Sequence, residues 1–246
     1  MPHAGDPARQ GEHMAALQLV DLATVTHRAA VSGPWSEPST WQDGAVPTDG
    51  SHAHVPEGIV VSVDGVATAE LATLRVDGTL RFDSSVDTQL RVGTLVSTPG
   101  SIVEIGTPEA PIDADVTAEI VIADTGPIDL AVDPRQLGNG AIFHGRTVIH
   151  GAEKTSFVAA AEPPRAGETT LTLERAPEGW QVGDRLVIAG TKADATGEET
   201  VIVTAIEGST VSLDLPLVHD HVPPRADLEV HVANLTRNVV FRSENP

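Results

Sequence analysis

The sequence predicts an all-β protein in which short strands stack coil upon coil, with almost no helix. Apolar runs of a few residues alternate with period two and are bounded by Gly, Asp or Pro. A strand–glycine–strand phrase repeats along the chain, as in residues 74–80 and 90–95. Apolar residues make up 40% of the chain but aromatic residues only 3%, and small branched side chains suit tightly layered β-structure. A β-sandwich is the competing fold, because it also has many short strands.

The first group of predicted strands lies within a domain assigned to residues 21–164. Its turns are marked by Asp64-Gly65, Asp77-Gly78 and Pro99-Gly100, because glycine supplies the positive φ of tight turns. The predicted strands cover residues 59–63, 72–82, 89–96, 101–105, 118–123, 128–132 and 141–150. One coil cannot bury its own inner face, so we expect neighbouring coils to complete a continuous core.

A second group of strands is predicted within residues 165–246, as a continuation that leads into a β-helix that is expected to be truncated. These strands cover residues 169–173, 185–189, 200–206, 210–213, 229–233 and 239–242. Residues 1–20 read as a disordered polar leader, and no signal peptide is visible because a basic start followed by an apolar run is absent. No stretch reaches the ~20 apolar residues that cross a bilayer, so no membrane insertion by this chain is expected.

The charge of the chain argues against two classes of partner. Its formal net charge is −20, from 35 acidic and 15 basic residues. Nucleic acids and anionic membranes are disfavoured, because phosphate binding requires clustered Lys and Arg. The acidity is compatible with divalent cations or with neutral partners, or it serves solubility alone. With no cysteine, the chain has neither disulfides nor thiolate metal sites.

Several phrases in fixed order carry a resemblance to a known family. They are residues 41–47 (Trp-Gln-Asp-Gly-Ala-Val-Pro), 74–80, 100–106, 150–155, 180–191, 215–217 and 234–240. Together they resemble the G-eight (eight-glycine) domain followed by the start of a right-handed parallel β-helix. That family includes the cell-migration-inducing hyaluronan-binding protein, the cell-surface hyaluronidase and fibrocystin. The resemblance covers roughly residues 33–246 and depends on the order and spacing of the phrases.

The resemblance implies a pectate-lyase-like β-helical solenoid with irregular N-terminal strands. It also implies extracellular or cell-surface glycan biology: hyaluronan binding, and in some members hyaluronan cleavage linked to calcium. Family members continue into further β-helix coils beyond the phrase at residues 234–240, so downstream coils are expected outside this chain. Hyaluronan itself is doubtful as a partner, because it is a polyanion and this chain is strongly acidic, unless cations or a local Arg patch intervene.

Two candidate ligand-binding segments contain His or Arg. His219 and His221 are two residues apart, which places both imidazoles on one face of an extended segment, where they could bind a metal; a solvated loop is the alternative. Arg237, in a Thr-Arg-Asn phrase, could pair with a glycan carboxylate. It could equally tie the chain together by bonding Glu229 or a backbone carbonyl.

The remaining candidates are acidic or aromatic. Asp194 and Glu199 lie in an acidic loop whose oxygens suit Ca²⁺, but the loop lacks the ordered spacing of a dedicated calcium loop. Trp35 lies among Gly, Ser and Pro residues and is expected to be exposed, where its indole could stack on a sugar ring. Trp41 and Trp180 are expected to anchor the core.

The sequence supports three hypotheses about function. The first is an extracellular polysaccharide-binding module of a larger protein, with Ca²⁺ bridging loop carboxylates. The second is part of a glycan-degrading, hyaluronidase-like enzyme, for which the catalytic residues are unknown. The third is a structural cap that covers the end of a β-helix and prevents edge-to-edge aggregation.

Overall fold

A computed structural model describes residues 5–192 and 197–245. In these residues the chain has one α-helix, three short 3₁₀ helices and eighteen strands, so it is an all-β protein with little helix, as the sequence predicts. The helix α1 spans Pro7–Gln18, and the 3₁₀ helices span Leu22–Thr24, Pro38–Thr40 and Gln42–Gly44. The strands are β1 (His27–Arg28), β2 (Gly33–Pro34), β3 (His52–Val55), β4 (Val60–Val63), β5 (Val66–Val76), β6 (Thr79–Phe82), β7 (Thr88–Ser97), β8 (Ile102–Ile105), β9 (Ala118–Ile122), β10 (Gly140–Phe143), β11 (Arg146–Ile149), β12 (Phe157–Ala159), β13 (Thr170–Thr172), β14 (Arg185–Ile188), β15 (Glu199–Glu207), β16 (Thr210–Leu213), β17 (His231–Asn234) and β18 (Val239–Ser243).

The chain divides into two compact units. Unit 1 comprises the described residues up to Gly151 together with those from Asn238 onward, and unit 2 comprises Ala152–Arg237. Unit 2 is therefore an insertion between two strands of unit 1. The sequence placed a division near residue 164 instead, because apolar periodicity shows where strands form but not which strands pack together.

Unit 1 contains two parallel sheets that receive strands alternately. The first sheet has the order β1-β3-β5-β7-β9-β18, with β10 also paired to β7, and the second has the order β11-β8-β6-β4-β2. All the strand pairs within these sheets are parallel. Regular alternation between two parallel sheets agrees with stacked coils. The right-handed winding of a β-helix stays a prediction.

The register of the strands stacks apolar side chains into one continuous core. Ala53, Leu74 and Leu95 occupy matching positions on β3, β5 and β7, and each is almost fully buried. Val61, Leu80 and Val103 do the same across the second sheet. The period-two pattern seen in the sequence thus turns one aliphatic side chain of each coil towards the same interior.

Gly78 permits the close approach of neighbouring coils. A Cβ atom at this position would collide with the backbone carbonyl oxygens of Pro56 and Ile59. Any side chain here would therefore push β6 away from the preceding coil, which explains why glycine follows Asp77 at this turn.

The two ends of the core differ. Near β1, Trp35 and Trp41 pack edge to face with ring centroids 4.8 Å apart, and the Trp41 indole N–H donates to the Trp35 carbonyl. Trp35 is only 5% exposed, so the expectation of a solvent-facing indole is wrong: the few aromatic residues of this chain close an otherwise aliphatic core. At the other end, Ile149 and Phe241 lie in register with fully buried core residues but are themselves 43% and 41% exposed.

Two segments of unit 1 differ from the sequence-based expectation. Residues 7–18, within the expected disordered leader, form helix α1, whose N-terminus is capped by the Asp6 carboxylate and whose Ala16 is buried. Residues 128–132 form no strand. Their backbone turns instead, because the Asp129 carboxylate accepts the amide of Ala131 and its carbonyl accepts the amides of Val132 and Asp133.

Unit 2 is a six-stranded antiparallel sheet with the order β12-β17-β14-β15-β16-β13. Its antiparallel pairing differs from the parallel pairing of the two sheets of unit 1. Its longest strand, β15, is joined to β16 by a tight turn at Gly208, which has a φ of 62°. Such turns favour antiparallel hairpins, whereas parallel strands need long crossovers. Among the described strands that follow residue 165, only β18, which belongs to unit 1, forms a parallel pair; its partner is β9.

A buried polar cluster holds unit 2 together. The Asp184 carboxylate accepts hydrogen bonds from the Lys154 ammonium at 2.8 and 2.9 Å and from the Asn234 amide at 2.7 Å. It also accepts the backbone N–H of Gln181 at 2.8 Å. The Gly183-Asp184 phrase of the sequence therefore ties three separate chain segments into one core.

Candidate functional site

A recess opens on the outer face of the first sheet of unit 1, which we call the sheet recess. Its volume is about 480 Å³. Its polar wall comes from neighbouring strands and the turn after β7, and its apolar wall includes side chains from α1 and the first 3₁₀ helix. The residues that line it are Leu17, Leu22, Arg28, His54, Pro56, Glu57, Arg75, Asp77, Thr98, Pro99 and Gly100.

The Asp77 carboxylate is the hub of the sheet recess. It accepts hydrogen bonds from His54 Nε2 at 2.7 Å, from Arg75 Nε at 2.9 and 3.1 Å, and from the Thr98 hydroxyl at 2.8 Å. The donors come from three successive coils, since His54 lies on β3, Arg75 on β5 and Thr98 just after β7. Burial alone would raise the pKa of Asp77, but these hydrogen bonds and the charge of Arg75 together hold its pKa well below the ordinary value.

Two groups of the sheet recess lack partners. His54 is 2% exposed, and its Nδ1 atom is buried without a hydrogen-bond partner among the described residues. The exposed Arg28 side chain likewise makes no hydrogen bond or ion pair within the described part of the chain. The recess therefore combines a carboxylate that accepts several hydrogen bonds with two groups that no described residue contacts through a hydrogen bond: the Arg28 guanidinium and His54 Nδ1.

Unit 2 carries a second recess, the Phe157 recess, on one face of its sheet. It is open and almost wholly apolar, has a volume of about 480 Å³, and is lined by Phe157, Val187, Ala189, His231 and Ala233. Phe157, Ala233 and Val187 are in register across three adjacent strands. The Phe157 ring is 55% exposed and packs edge to face with His231, their centroids 5.3 Å apart.

The structure separates the two candidate histidines of residues 219–221. His221 is 1% exposed, and its ring nitrogens contact the Ala189 carbonyl and a Glu199 carboxylate oxygen, both at 2.9 Å. His219 is exposed, so the two imidazoles do not share a face and the solvated-loop alternative is wrong for His221. The segment is not extended, and period-two reasoning fails there.

Glu199 holds this loop in place. Its carboxylate accepts the backbone N–H groups of Val218 and His219 at 2.7 and 2.8 Å, in addition to the contact with His221. Burial would raise its pKa, but these three contacts lower the pKa below the ordinary value. Its partner in the proposed acidic cluster, Asp194, lies outside the described residues.

Arg237 donates from Nη1 to the carbonyl oxygens of Asn234 and Thr236, at 3.0 and 2.7 Å. Its Nη2 is 3.4 Å from the Ser156 hydroxyl, next to Phe157. The expected structural role of Arg237, bonding to backbone carbonyl oxygens, is therefore present. No contact with Glu229 is seen among the described side chains. Ser156, which the guanidinium contacts, immediately precedes Phe157 in the chain.

Sequence reasoning missed the two recesses. His54 belongs to a His-Ala-His phrase, and Arg75 precedes an Asp-Gly turn, but His54 and its partner Asp77 lie about one coil apart in the chain. Within the described ranges, no group of three or more His, Cys, Asp or Glu side chains could hold a metal ion. Among the described helices, none has both the length and the apolar character needed to span a membrane.

Comparison with known proteins identifies the family. Residues 40–160 match the profile of the G8 domain. Mouse fibrocystin-L is 26% identical over 224 residues, which covers 86% of this chain and 5% of fibrocystin-L. Mouse fibrocystin is 28% identical over 221 residues, with 85% and 5% covered. A G8 domain-containing protein of Dictyostelium discoideum is 22% identical over 244 residues, with 94% and 21% covered.

This chain thus spans about one twentieth of the length of the fibrocystins it matches. The matched residues include most of unit 1 and reach β12, where Phe157 lies. The order of glycine-marked phrases noted in the sequence and the profile match agree. Residues 40–160 of this chain belong to the G8 domain family.

Proposed function

We propose that this chain is an extracellular polysaccharide-binding module of a larger protein. The observation that supports the proposal is the Phe157 recess, an open apolar surface with an exposed aromatic ring. The C–H face of a sugar ring stacks on such a ring. An open surface also suits a polymer, because the polysaccharide can extend past both sides of the contact.

Polar groups surround this apolar floor. His231 borders it and lies 3.7 Å from the Glu229 carboxylate, and both side chains are about half exposed. Hydroxyl groups of a bound sugar would find donors and acceptors there. Glu229 also places negative charge beside the recess, which favours neutral over anionic polysaccharides. An extracellular location is part of the proposal and is supported by the likeness to the fibrocystins.

The test is a set of binding isotherms with neutral and anionic polysaccharides, each with and without Ca²⁺. We expect binding to neutral chains, and a loss of about tenfold in affinity for Phe157→Ala, the equivalent of about 1.4 kcal/mol. Phe241→Ala is the matched control, since that ring is also exposed but lies in unit 1. The proposal fails if the unmodified protein binds no polysaccharide, or if both variants bind equally.

A second candidate function, the structural cap, is favoured by the unequal ends of the unit 1 core. Trp35 and Trp41 close one end, whereas Ile149 and Phe241 expose core-facing positions at the other. An edge of this kind pairs readily with further strands. We expect concentration-dependent association in light scattering, reduced by Ile149→Lys. A monomer at all concentrations would exclude this role.

A further inference from the structure

The sheet recess of unit 1 plays no part in the polysaccharide binding proposed above. We propose that it is a binding site for a small organic carboxylate. It lies in unit 1, whereas the Phe157 recess lies in unit 2, so the inference does not depend on the proposed function. Four features of the recess carry it: a row of two arginines and a histidine, the free donors of the arginines, an apolar wall and a matching volume.

The row consists of Arg28, His54 and Arg75. These residues are in register on β1, β3 and β5, so their side chains project from the same face of the sheet at successive strands, roughly 4.8 Å apart. Only 15 of the 246 residues are basic. Two of them share this ladder: Arg75 is ion-paired with Asp77, and Arg28 adds a positive charge that no described side chain offsets.

The donors of this row are only partly used. Arg75 bonds Asp77 through Nε alone, and its Nη atoms have no hydrogen bond within the described residues. Arg28 has no partner there either. A guanidinium presents paired N–H donors whose geometry matches the two oxygens of a carboxylate. The hydrogen bonds from Arg75 Nε to Asp77 hold the guanidinium in place, so the orientation of the remaining Arg75 N–H donors is fixed.

The imidazole of His54, which lies between the two arginines, also lacks one hydrogen-bond partner. His54 Nε2 faces the Asp77 carboxylate, and its Nδ1 is buried without a partner. An unpaired buried nitrogen is unfavourable. Packing stability alone therefore does not account for a histidine at this position.

The rest of the recess suits the organic part of such a ligand. Leu17, Leu22, Pro56 and Pro99 form apolar surface around the polar wall. A volume of about 480 Å³ lies within the usual range for small-molecule sites. Two carboxylates of the recess oppose an anion: Asp77, whose charge is offset by its ion pair with Arg75, and Glu57, which is exposed at the rim.

The experiment is titration calorimetry on the full chain at low ionic strength with two matched pairs of probes. Hexanoate is compared with hexanamide, and glucuronate with glucose. We expect both carboxylates to bind and both neutral compounds to give no heat above dilution. Binding of glucuronate alone would also support the carboxylate site and would assign its natural ligand to sugar acids, whereas hexanoate binding shows that an apolar body suffices.

Variants of exposed residues test the site without disturbing the fold. Arg28→Ala should weaken carboxylate binding about tenfold or more, and Glu57→Gln should strengthen it a few-fold. Arg81→Ala is the control, because Arg81 is an ion-paired arginine on the second sheet. Phe157→Ala should leave carboxylate binding unchanged, which separates this site from the polysaccharide site. Equal binding of carboxylates and neutral probes, or no effect of Arg28→Ala, would overturn the proposal.

Discussion

Asp77 shows how one carboxylate joins successive coils. Arg75 is two residues from Asp77, whereas His54 and Thr98 come from the preceding and the following coil, each more than 20 residues from Asp77 in the chain. A hydrogen bond to a charged group contributes roughly 1.5–3 kcal/mol to the free energy of unfolding, more than a bond between neutral groups. Because its pKa is lowered in the folded chain, ionised Asp77 stabilises the fold at neutral pH.

The pH dependence of stability follows from this direction. The contribution of Asp77 is complete above its ordinary pKa of 3.8 and disappears as the pH falls towards the lower folded value. We expect Asp77→Asn to lower the free energy of unfolding by about 1–3 kcal/mol at pH 7. The difference between the two proteins should shrink in strongly acidic solution.

Urea unfolding between pH 2 and pH 7, followed by tryptophan fluorescence, measures this effect. A Trp180→Phe background leaves Trp35 and Trp41, so the signal reports unit 1. Glu109→Gln is the control, since Glu109 is exposed. A destabilisation of Asp77→Asn that stays constant down to pH 2 would contradict the role assigned to its charge.

The candidate site residues could be predicted only in part. The tie of Arg237 to backbone carbonyls was one of two readings that the sequence allowed, and the core positions of Trp41 and Trp180 are confirmed. The exposure of Trp35 was mispredicted, because flanking Gly and Pro indicate a turn but do not show whether its side chain faces solvent. His221 was expected to share a face with His219, but the segment is not extended, so period-two spacing does not apply there.

At the level of elements, the two Asp-Gly turns of β4–β5 and β5–β6 look alike in sequence but differ in packing. Gly78 lies against the carbonyl oxygens of Pro56 and Ile59, whereas nothing lies within 4 Å of a Cβ placed on Gly65. Neither glycine has a positive φ. The requirement for glycine at position 78 is therefore steric and comes from the neighbouring coil.

Gly78→Ala should accordingly destabilise unit 1, because the added methyl group forces β6 from the coil before it. We expect a loss of about 2 kcal/mol or more in the free energy of unfolding, typical of overpacking at a site that cannot relax. Gly65→Ala, in the second Asp-Gly turn, should change it by less than about 0.5 kcal/mol. Chemical unfolding of both variants measures the difference. Equal stabilities would show that the close approach has no energetic consequence.

At the level of the whole molecule, charge repulsion opposes folding. A net charge of −20 on 246 residues produces self-repulsion in the compact state, which salt screens. Surface ion pairs such as Arg242 with Glu119 act in the opposite sense, but exposed pairs contribute little. We therefore expect repulsion to dominate.

The melting temperature should rise by a few degrees when NaCl is increased from 10 mM to 300 mM, as measured by differential scanning calorimetry. Choline chloride at equal ionic strength is the control, and it should give the same rise, because screening does not depend on the cation. A fall in melting temperature would show that ion pairs outweigh repulsion. A rise with sodium alone would indicate a specific cation site.

The sequence by itself determined the all-β class, several strands of the core and the G8 family, because period-two alternation and glycine spacing are local properties of the chain. Tertiary structure alone decided that unit 2 is antiparallel and inserted before β18, and that Arg28, His54, Arg75 and Asp77 meet in one recess. Those outcomes depend on which strands pair and in which register. Pairing is set by contacts between residues about 20 or more positions apart, which no local pattern encodes.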